Sequence, residues 1–269
     1  MEHIDIRTDH FPNIHYRKTG SGPVVVLLHG FPEDGELWDN VYPALSGQYT
    51  VIIPDIPGSG QSTLGGEEVS MDSLADGITA ILSHEKIEEI VLAGHSMGGY
   101  IAMAFAASHR PWLKGLSLVH SSAAADTEEK KETRRKSIEL IRKGGKEPFV
   151  KGMIPNLFSA SYKEQNEDVL EKHVQKGLEL PADSMIAFYN AMINRPDRTS
   201  ILTELNIPVQ WIIGKEDTVI PMNAALQQSK LASVNFVSVY NGCGHMSMVE
   251  QPERLANDLK EFISYCYKH

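Results

Sequence analysis

Cysteine is the scarcest chemistry in this chain. Only Cys243 and Cys266 occur in 269 residues, too few for a disulfide framework to hold the fold together. Positive charge is short as well: 25 Lys and Arg stand against 35 Asp and Glu, a formal charge of −10. That balance argues against nucleic acid or an anionic membrane as partner, since either needs a basic patch. The one concentrated basic run, Lys130-Lys131 with Arg134-Arg135-Lys136, is interleaved with Glu128, Glu129 and Glu132. It is expected to be a solvated helix face laced with ion pairs. Long apolar runs are missing: Val24 to Leu28 is strand length, far short of a membrane span. The N-terminal MEHIDIRTDHF has neither a basic start nor an apolar core, so no signal peptide is read and the cytoplasm is the expected compartment.

What is present is ordinary in bulk and ordered in detail. With 42% hydrophobic and 22% charged residues, the chain suffices for one large domain, or one domain carrying an insertion. Residues 2 to 19 alternate weakly and predict two edge strands, the second over Ile14-His15-Tyr16-Arg17. Val24 to Leu28 is continuous and β-branched, the mark of a strand buried on both faces. A helix through Trp38 and Leu45, a strand at Val51-Ile52-Ile53 and a helix from Met71 to Ser83 follow. Ile90 to Ala93, the helical pattern after it, and Leu116 to Val119 continue the alternation. Such alternation predicts an α/β fold: a mostly parallel central sheet flanked by helices, with sites at the carboxyl ends of the strands.

The rhythm then breaks. From about Ser121 to Thr203 helices are predicted instead of strands: Glu128 to Arg142, Pro148 to Leu157, Lys163 to Leu180 and Ala182 to Asn194. Residues 122–203 therefore read as an all-helical insertion in a core made of 1–121 and 204–269. Strands return at Val209 to Ile213 and Phe236 to Val239, and Pro252 to Tyr265 predicts a closing amphipathic helix. Phe149, Met153, Ile154, Phe158, Met185, Phe188 and Met192 are apolar residues of the insertion. Each singly has an ordinary explanation in helix packing; together they are candidates to roof a pocket.

Most of the chemistry lies in EEIVLAGHSMGGYIAMAFAASHR, residues 88 to 110. A strand, a glycine-studded turn and a helix place Ser96 at the apex of Gly94-His95-Ser96-Met97-Gly98, the context of a G-x-S-x-G nucleophile elbow. A serine hydroxyl also needs a base, a group to orient that base, and donors for an oxyanion. His245, in the loop Gly242-Cys243-Gly244-His245 after the last strand, is the candidate base, and His120, at a strand end, is its rival. Asp217, at the tip of Gly214-Lys215-Glu216-Asp217, is the candidate acid, with Glu216 and Asp126 as alternatives. The backbone N–H groups of Phe31 and Met97 are the candidate oxyanion donors, each contributing on the order of 3 kcal/mol to a transition state. His29 and His95 are read as backbone-shaping or packing residues, and Asp55 as an acceptor for the Gly58/Gly60 loop.

Over roughly residues 10 to 265 the chain resembles the α/β-hydrolase superfamily. The resemblance is carried by the HGFP turn, the DIPGSGQS loop, GHSMGG, GKEDTVIP and GCGHMSMVEQPERL. It implies Ser96 as nucleophile, Asp217 as acid, His245 as base, Phe31 and Met97 as oxyanion donors, and the insertion as a cap. HGFPE is similar to epoxide hydrolases and dehalogenases, but those carry an aspartate where this chain has Ser96. Carbon–carbon bond hydrolases usually carry Asn before the nucleophile, and here it is His95. AMINRPDRTSILTELNIPVQWIIGKED resembles the 3-oxoadipate enol-lactonase and small carboxylesterase group.

The expected function is therefore a serine hydrolase acting on a small ester, lactone or thioester, with no cofactor and no metal. Cofactor-free haloperoxidases share the same triad, so perhydrolysis is an expected side activity. A small-molecule receptor of the same fold is the alternative from a different class. An enol-lactonase would use a cation to meet a carboxylate; Arg134, Arg142, Lys151 and Arg195 are candidates, all expected to face solvent.

Overall fold

The alternation of strand and helix patterns resolves, in a computed structural model that describes residues 1–66 and 68–269, into one sheet with helices packed against it. Its strands are β1 (Glu2–Ile6), β2 (Ile14–Thr19), β3 (Val24–Leu28), β4 (Thr50–Pro54), β5 (Ile90–His95), β6 (Leu113–Val119), β7 (Val209–Gly214) and β8 (Asn235–Tyr240). They lie in the order β1-β2-β4-β3-β5-β6-β7-β8. β2 pairs antiparallel with β1 and β4, and every other pairing is parallel. All six residues of β5 and all six of β7 are buried, as continuous apolar runs covered on both faces require. The edge strands β1 and β8 are only partly covered.

The helices are α1 (Tyr42–Ser46), α2 (Met71–Glu85), α3 (Met97–Ser108), α4 (Glu128–Arg142), α5 (Lys146–Met153), α6 (Ala160–Gln165), α7 (Glu167–Glu179), α8 (Ala182–Asn194), α9 (Thr199–Glu204), α10 (Met222–Gln228), α11 (Ser247–Glu250) and α12 (Pro252–Lys268). Helices α4 to α9 all lie between β6 and β7. No described helix is long and apolar enough to cross a membrane. Both cysteines are buried and free.

The strand order reverses once. From β3 the chain moves outward to β4, then returns to the other side of β3 for β5. Crevices at such a reversal, beyond the carboxyl ends of the strands, are where open α/β sheets bind ligands. Here the reversal puts the turn after β3 beside the turn after β5, and these turns hold Phe31 and Ser96.

Three predicted helices break where local chemistry forbids continuity. The helix expected through Trp38 and Leu45 is a 3-10 turn, Gly35–Trp38, followed by the single turn of α1. Pro43 stands there, with no N–H to continue a helix and a ring that clashes with the preceding turn. Pro155 likewise converts the end of the predicted 148–157 helix into a 3-10 turn, Ile154–Leu157. The predicted 163–180 helix is split at Asn166, whose side-chain amide donates to the Tyr162 carbonyl at 2.9 Å; short polar side chains offer the backbone this alternative to helix.

The basic run on α4 is only half solvated. Lys131 and Arg135 make surface pairs with Glu128 and Glu132. Lys130 and Arg134, however, share the face of the buried Ile138 and Ile141, at helical spacing, and point inward. Lys130 Nζ donates to the Val219 carbonyl at 2.9 Å. Arg134 Nε meets Asp126 Oδ2 at 2.6 Å, and Arg195 Nη2 meets Asp126 Oδ1 at 3.1 Å. Arg134 and Arg195 are thus not the solvent-facing cations expected, whereas Arg142 and Lys151 are exposed. The carboxyl of Asp126 is pushed up by burial, but Arg134 and Arg195 hold it below its ordinary value.

Candidate active site

Ser96 occupies the strained corner that its glycines make possible. Its backbone has φ 51° and ψ −113°, a region costly for any residue with a side chain. A Cβ at Gly94 would strike the Gly98 carbonyl, and one at Gly98 would strike the carbonyls of His29 and Leu28. The corner is pinned by Ser96 N–H on the Val119 carbonyl at 3.0 Å, and by Ser121 Oγ, which donates to the Ser96 carbonyl at 2.7 Å. From Ile90 to Ala106 every residue is buried except Ser96, which is partly exposed. Its hydroxyl makes no capping bond to α3, the helix it begins. Met97 N–H is the first amide of that helix, where the dipole favours negative charge.

Asp217 and His245 meet as expected. His245 Nδ1 lies 2.7 Å from Asp217 Oδ2, with both side chains buried. A carboxylate oxygen only accepts, so Nδ1 carries the proton and Nε2 is left as the acceptor. Asp217 Oδ1 accepts the N–H groups of Val219 and Ile220, both at 2.8 Å. Burial pushes the Asp217 carboxyl up, yet the His245 charge and the hydrogen bonds from His120 and His245 hold it well below the ordinary range. The alternative acids are elsewhere: Glu216 is exposed, and Asp126 is engaged by its arginines.

His120, the rival base, shares the same acid. Its Nδ1 lies 3.2 Å from Asp217 Oδ2, its φ is 49°, and its buried Nε2 has no partner among the described residues. Burial lowers its pKa. His120, Asp217 and His245 bring one donor atom each within 4.8 Å of one another, a spacing compatible with a metal ion. The Nδ1 atoms of both rings face the shared Oδ2, so Asp217 joins the two histidines. Sequence reasoning did not foresee this sharing, because nothing in the spacing of 120 and 217 reports that β6 and β7 are neighbours.

His95 and His29 shape the site from behind. His95 donates Nε2–H to the His245 carbonyl at 2.9 Å, joining the turn of Ser96 to the loop of His245. Burial, then the nearby His245 and His120, drives the His95 pKa well down, which keeps the ring neutral. His29 Nδ1–H donates to the Gly30 carbonyl at 2.8 Å, while Nε2 accepts the Ile56 N–H at 2.9 Å. Asp55 accepts the N–H groups of Gln61 and Gly35 at 2.8 and 2.9 Å. These contacts fix the turn that presents Phe31.

Helices α5, α7 and α8 bring the insertion onto this turn. The Tyr189 ring lies 4.8 Å from Phe31 and 5.7 Å from Phe149, centroid to centroid. A Cβ on Gly177 would touch Pro32 at 3.2 Å. On the opposite side, the His245 N–H donates to the Leu157 carbonyl at 2.7 Å. Glu250, which composition and periodicity did not single out, accepts the amides of Gly244, Met246 and Ser159. The sign available in the sequence was its place in GCGHMSMVEQPERL, five residues after His245.

The chain has known relatives. A family model described as alpha/beta hydrolase fold matches residues 23–252. The chain is 32% identical to a thermophilic esterase from Thermogutta terrifontis, solved with malate bound, over 99% of each chain and with a TM-score of 0.93. It is 26% identical to the pimeloyl-[acyl-carrier protein] methyl ester esterase of Aeromonas hydrophila, over 93% of this chain and 99% of that one. It is 24% identical to 3-oxoadipate enol-lactonase 1 of Acinetobacter baylyi, over 90% and 89%.

Proposed function

This chain belongs to the α/β-hydrolase family, and from that premise we propose that it is a serine hydrolase cleaving a small ester, lactone or thioester through an acyl-enzyme. The observation that carries the reading is the 2.7 Å bond from His245 Nδ1 to Asp217 Oδ2, which leaves Nε2 as the proton acceptor. His245 is preferred to His120 because its bond to Asp217 is shorter and its ring is nearer His95, at 4.9 Å against 6.1 Å. His95 immediately precedes Ser96.

Ser96 Oγ attacks the substrate carbonyl carbon and passes its proton to His245 Nε2. The negative charge moves to the carbonyl oxygen, which the N–H groups of Phe31 and Met97 hold. Collapse of this intermediate expels the alcohol or thiol, which takes the proton from His245, and leaves the acyl group on Ser96. Water then repeats the sequence, losing a proton to His245 and releasing the carboxylic acid. Asp217 stabilises the imidazolium at each stage and stays ionised throughout.

Residues 122–203 act as a cap. The contacts of Tyr189, Gly177 and Leu157 with the Phe31 turn and the His245 loop support that role. Phe31, Phe149 and Tyr189 form an apolar wall beside the proposed oxyanion site, suited to the acyl or aromatic part of a substrate.

The test pairs a fluorophosphonate probe with p-nitrophenyl acetate turnover. Stoichiometric labelling, abolished in Ser96→Ala together with turnover, is expected. An inert, unlabelled protein, or a Ser96→Ala variant that matches the parent, would overturn the reading.

A further inference from the structure

The loop that carries His245 is clasped from one side by a single carboxylate. Glu250 Oε1 accepts the Gly244 N–H at 2.9 Å and the Met246 N–H at 3.2 Å, the amides immediately before and after His245. Its other oxygen, Oε2, accepts the Ser159 N–H of the helical insertion at 3.0 Å. The remaining amide of the loop, that of His245 itself, donates to Leu157 of the insertion at 2.7 Å. Nothing intervenes: a Cβ on Gly244 would lie 2.6 Å from Ser159 N and 2.8 Å from the Leu157 carbonyl. A negative charge accepting three amides holds them more firmly than neutral pairs would.

We propose that Glu250 is a positioning residue for His245, and that by gripping Ser159 N–H it makes the placement of His245 depend on the insertion staying docked. This rests on the reading of His245 as the base. The insertion then serves as one wall of the support for the base as well as a cover. Displacing residues 157–159 withdraws three of the bonds that fix the loop: one on His245 itself, one on the carboxylate beside it, and one from the Ser159 hydroxyl to the Gly242 carbonyl. His95, bound to the His245 carbonyl, is left to hold the loop from the other side.

The backbone offers a clean probe. Ser159 has φ −62° and ψ 154°, which proline adopts without strain, and Phe158 before it is extended at φ −101° and ψ 153°. Ser159→Pro therefore removes the N–H that reaches Glu250 and puts a ring in its place. Ser159→Ala loses only the hydroxyl, which accepts the Tyr162 N–H and donates to the Gly242 carbonyl, both at 3.4 Å; proline loses the same hydroxyl, so alanine serves as the reference. Glu250→Gln keeps the shape; with its oxygen in the Oε1 place it still accepts Gly244 and Met246, and its NH2 then faces the Ser159 N–H, so the bond to Ser159 is lost.

The experiment measures kcat and KM on p-nitrophenyl acetate for the four proteins and the double variant, well below their unfolding temperatures. Glu250→Gln is expected to lower kcat about 10- to 30-fold with KM within threefold. Ser159→Pro is expected to fall about tenfold below Ser159→Ala, again in kcat. The double variant, Glu250→Gln with Ser159→Pro, should lose clearly less than the product of the two single changes, because both break the bond between Ser159 and residue 250. Losses that multiply, a Ser159→Pro equal to Ser159→Ala, or a loss confined to KM would overturn the proposal. Inactive Ser96→Ala and His245→Ala variants alongside such a result would leave the serine-hydrolase reading standing.

Discussion

The central sheet and the helical insertion share one apolar core, but charge contributes more at the insertion's ends. β5 and β7 are buried at every position, and their stability comes from apolar area removed from water. α4 buries only Ile138 and Ile141 from its apolar residues. The two ends of the insertion are joined instead by charge, with Asp126 gripping Arg134 and Arg195. The insertion meets the sheet's carboxyl edge through backbone hydrogen bonds at Leu157 and Ser159 and through the Tyr189 ring. Apolar burial therefore holds the sheet and most of the insertion alike, and polar contacts add to it at the insertion's ends and at the His245 loop. A substitution's cost should follow that division.

Asp217 and Asp126 separate the two regimes most sharply. Asp217→Asn is expected to lower kcat by about 10⁴-fold through loss of the imidazole's orientation and tautomer, with a far smaller shift in the urea midpoint. Asp126→Ala leaves two guanidinium groups near each other without their carboxylate, and should cost about 3 kcal/mol of stability by urea unfolding. Its kcat in the cold is expected to stay within a few-fold of the parent. An Asp126→Ala protein as inactive as Asp217→Asn would erase the distinction.

The same acid gives the insertion a pH signature. Because the folded Asp126 carboxyl lies below its unfolded value, its contribution is complete above the ordinary carboxylate range and is lost as the pH falls through the folded value. The stability gap between the parent and Asp126→Asn should therefore be flat above about pH 5 and narrow as the pH falls below it, measured by urea midpoints at each pH. The smallest effect is expected at the solvated face of α4. Lys131→Ala removes an exposed i,i+3 pair with Glu128 and should leave the midpoint unmoved.

The strands were legible because two-faced burial writes itself as continuous apolar runs. Val24 to Leu28, Ile90 to Ala93 and Val209 to Ile213 each mark a strand. Ser96, Asp217 and His245 stand out in the sequence because glycine and strand-end context surround them, and the structure brings Asp217 and His245 into contact. His120 was seen only as a rival base. Its tie to Asp217 depends on β6 lying beside β7, and pairing across the helical insertion leaves no local mark. Arg134 was misplaced for a related reason. A charge at an inward helical position resembles its solvated neighbours until the carboxylate it meets is known. Glu250 sat inside a quoted motif, but its three amide partners come from two segments some 90 residues apart.

The reversal of strand order has a consequence for how the molecule fails. Phe31 and Ser96 follow the interior strands β3 and β5, whereas Asp217 and His245 follow β7 and β8, the last two strands toward one open border. Val237 of β8 is 43% exposed, so that border opens at less cost than the interior strands β3 and β5. A brief peeling of β8 parts His245 from Asp217 while the Ser96 corner stays folded. Inactivation by heat or urea would then run ahead of the loss of helix and sheet signal, and amide exchange would be faster along β8 than along β5.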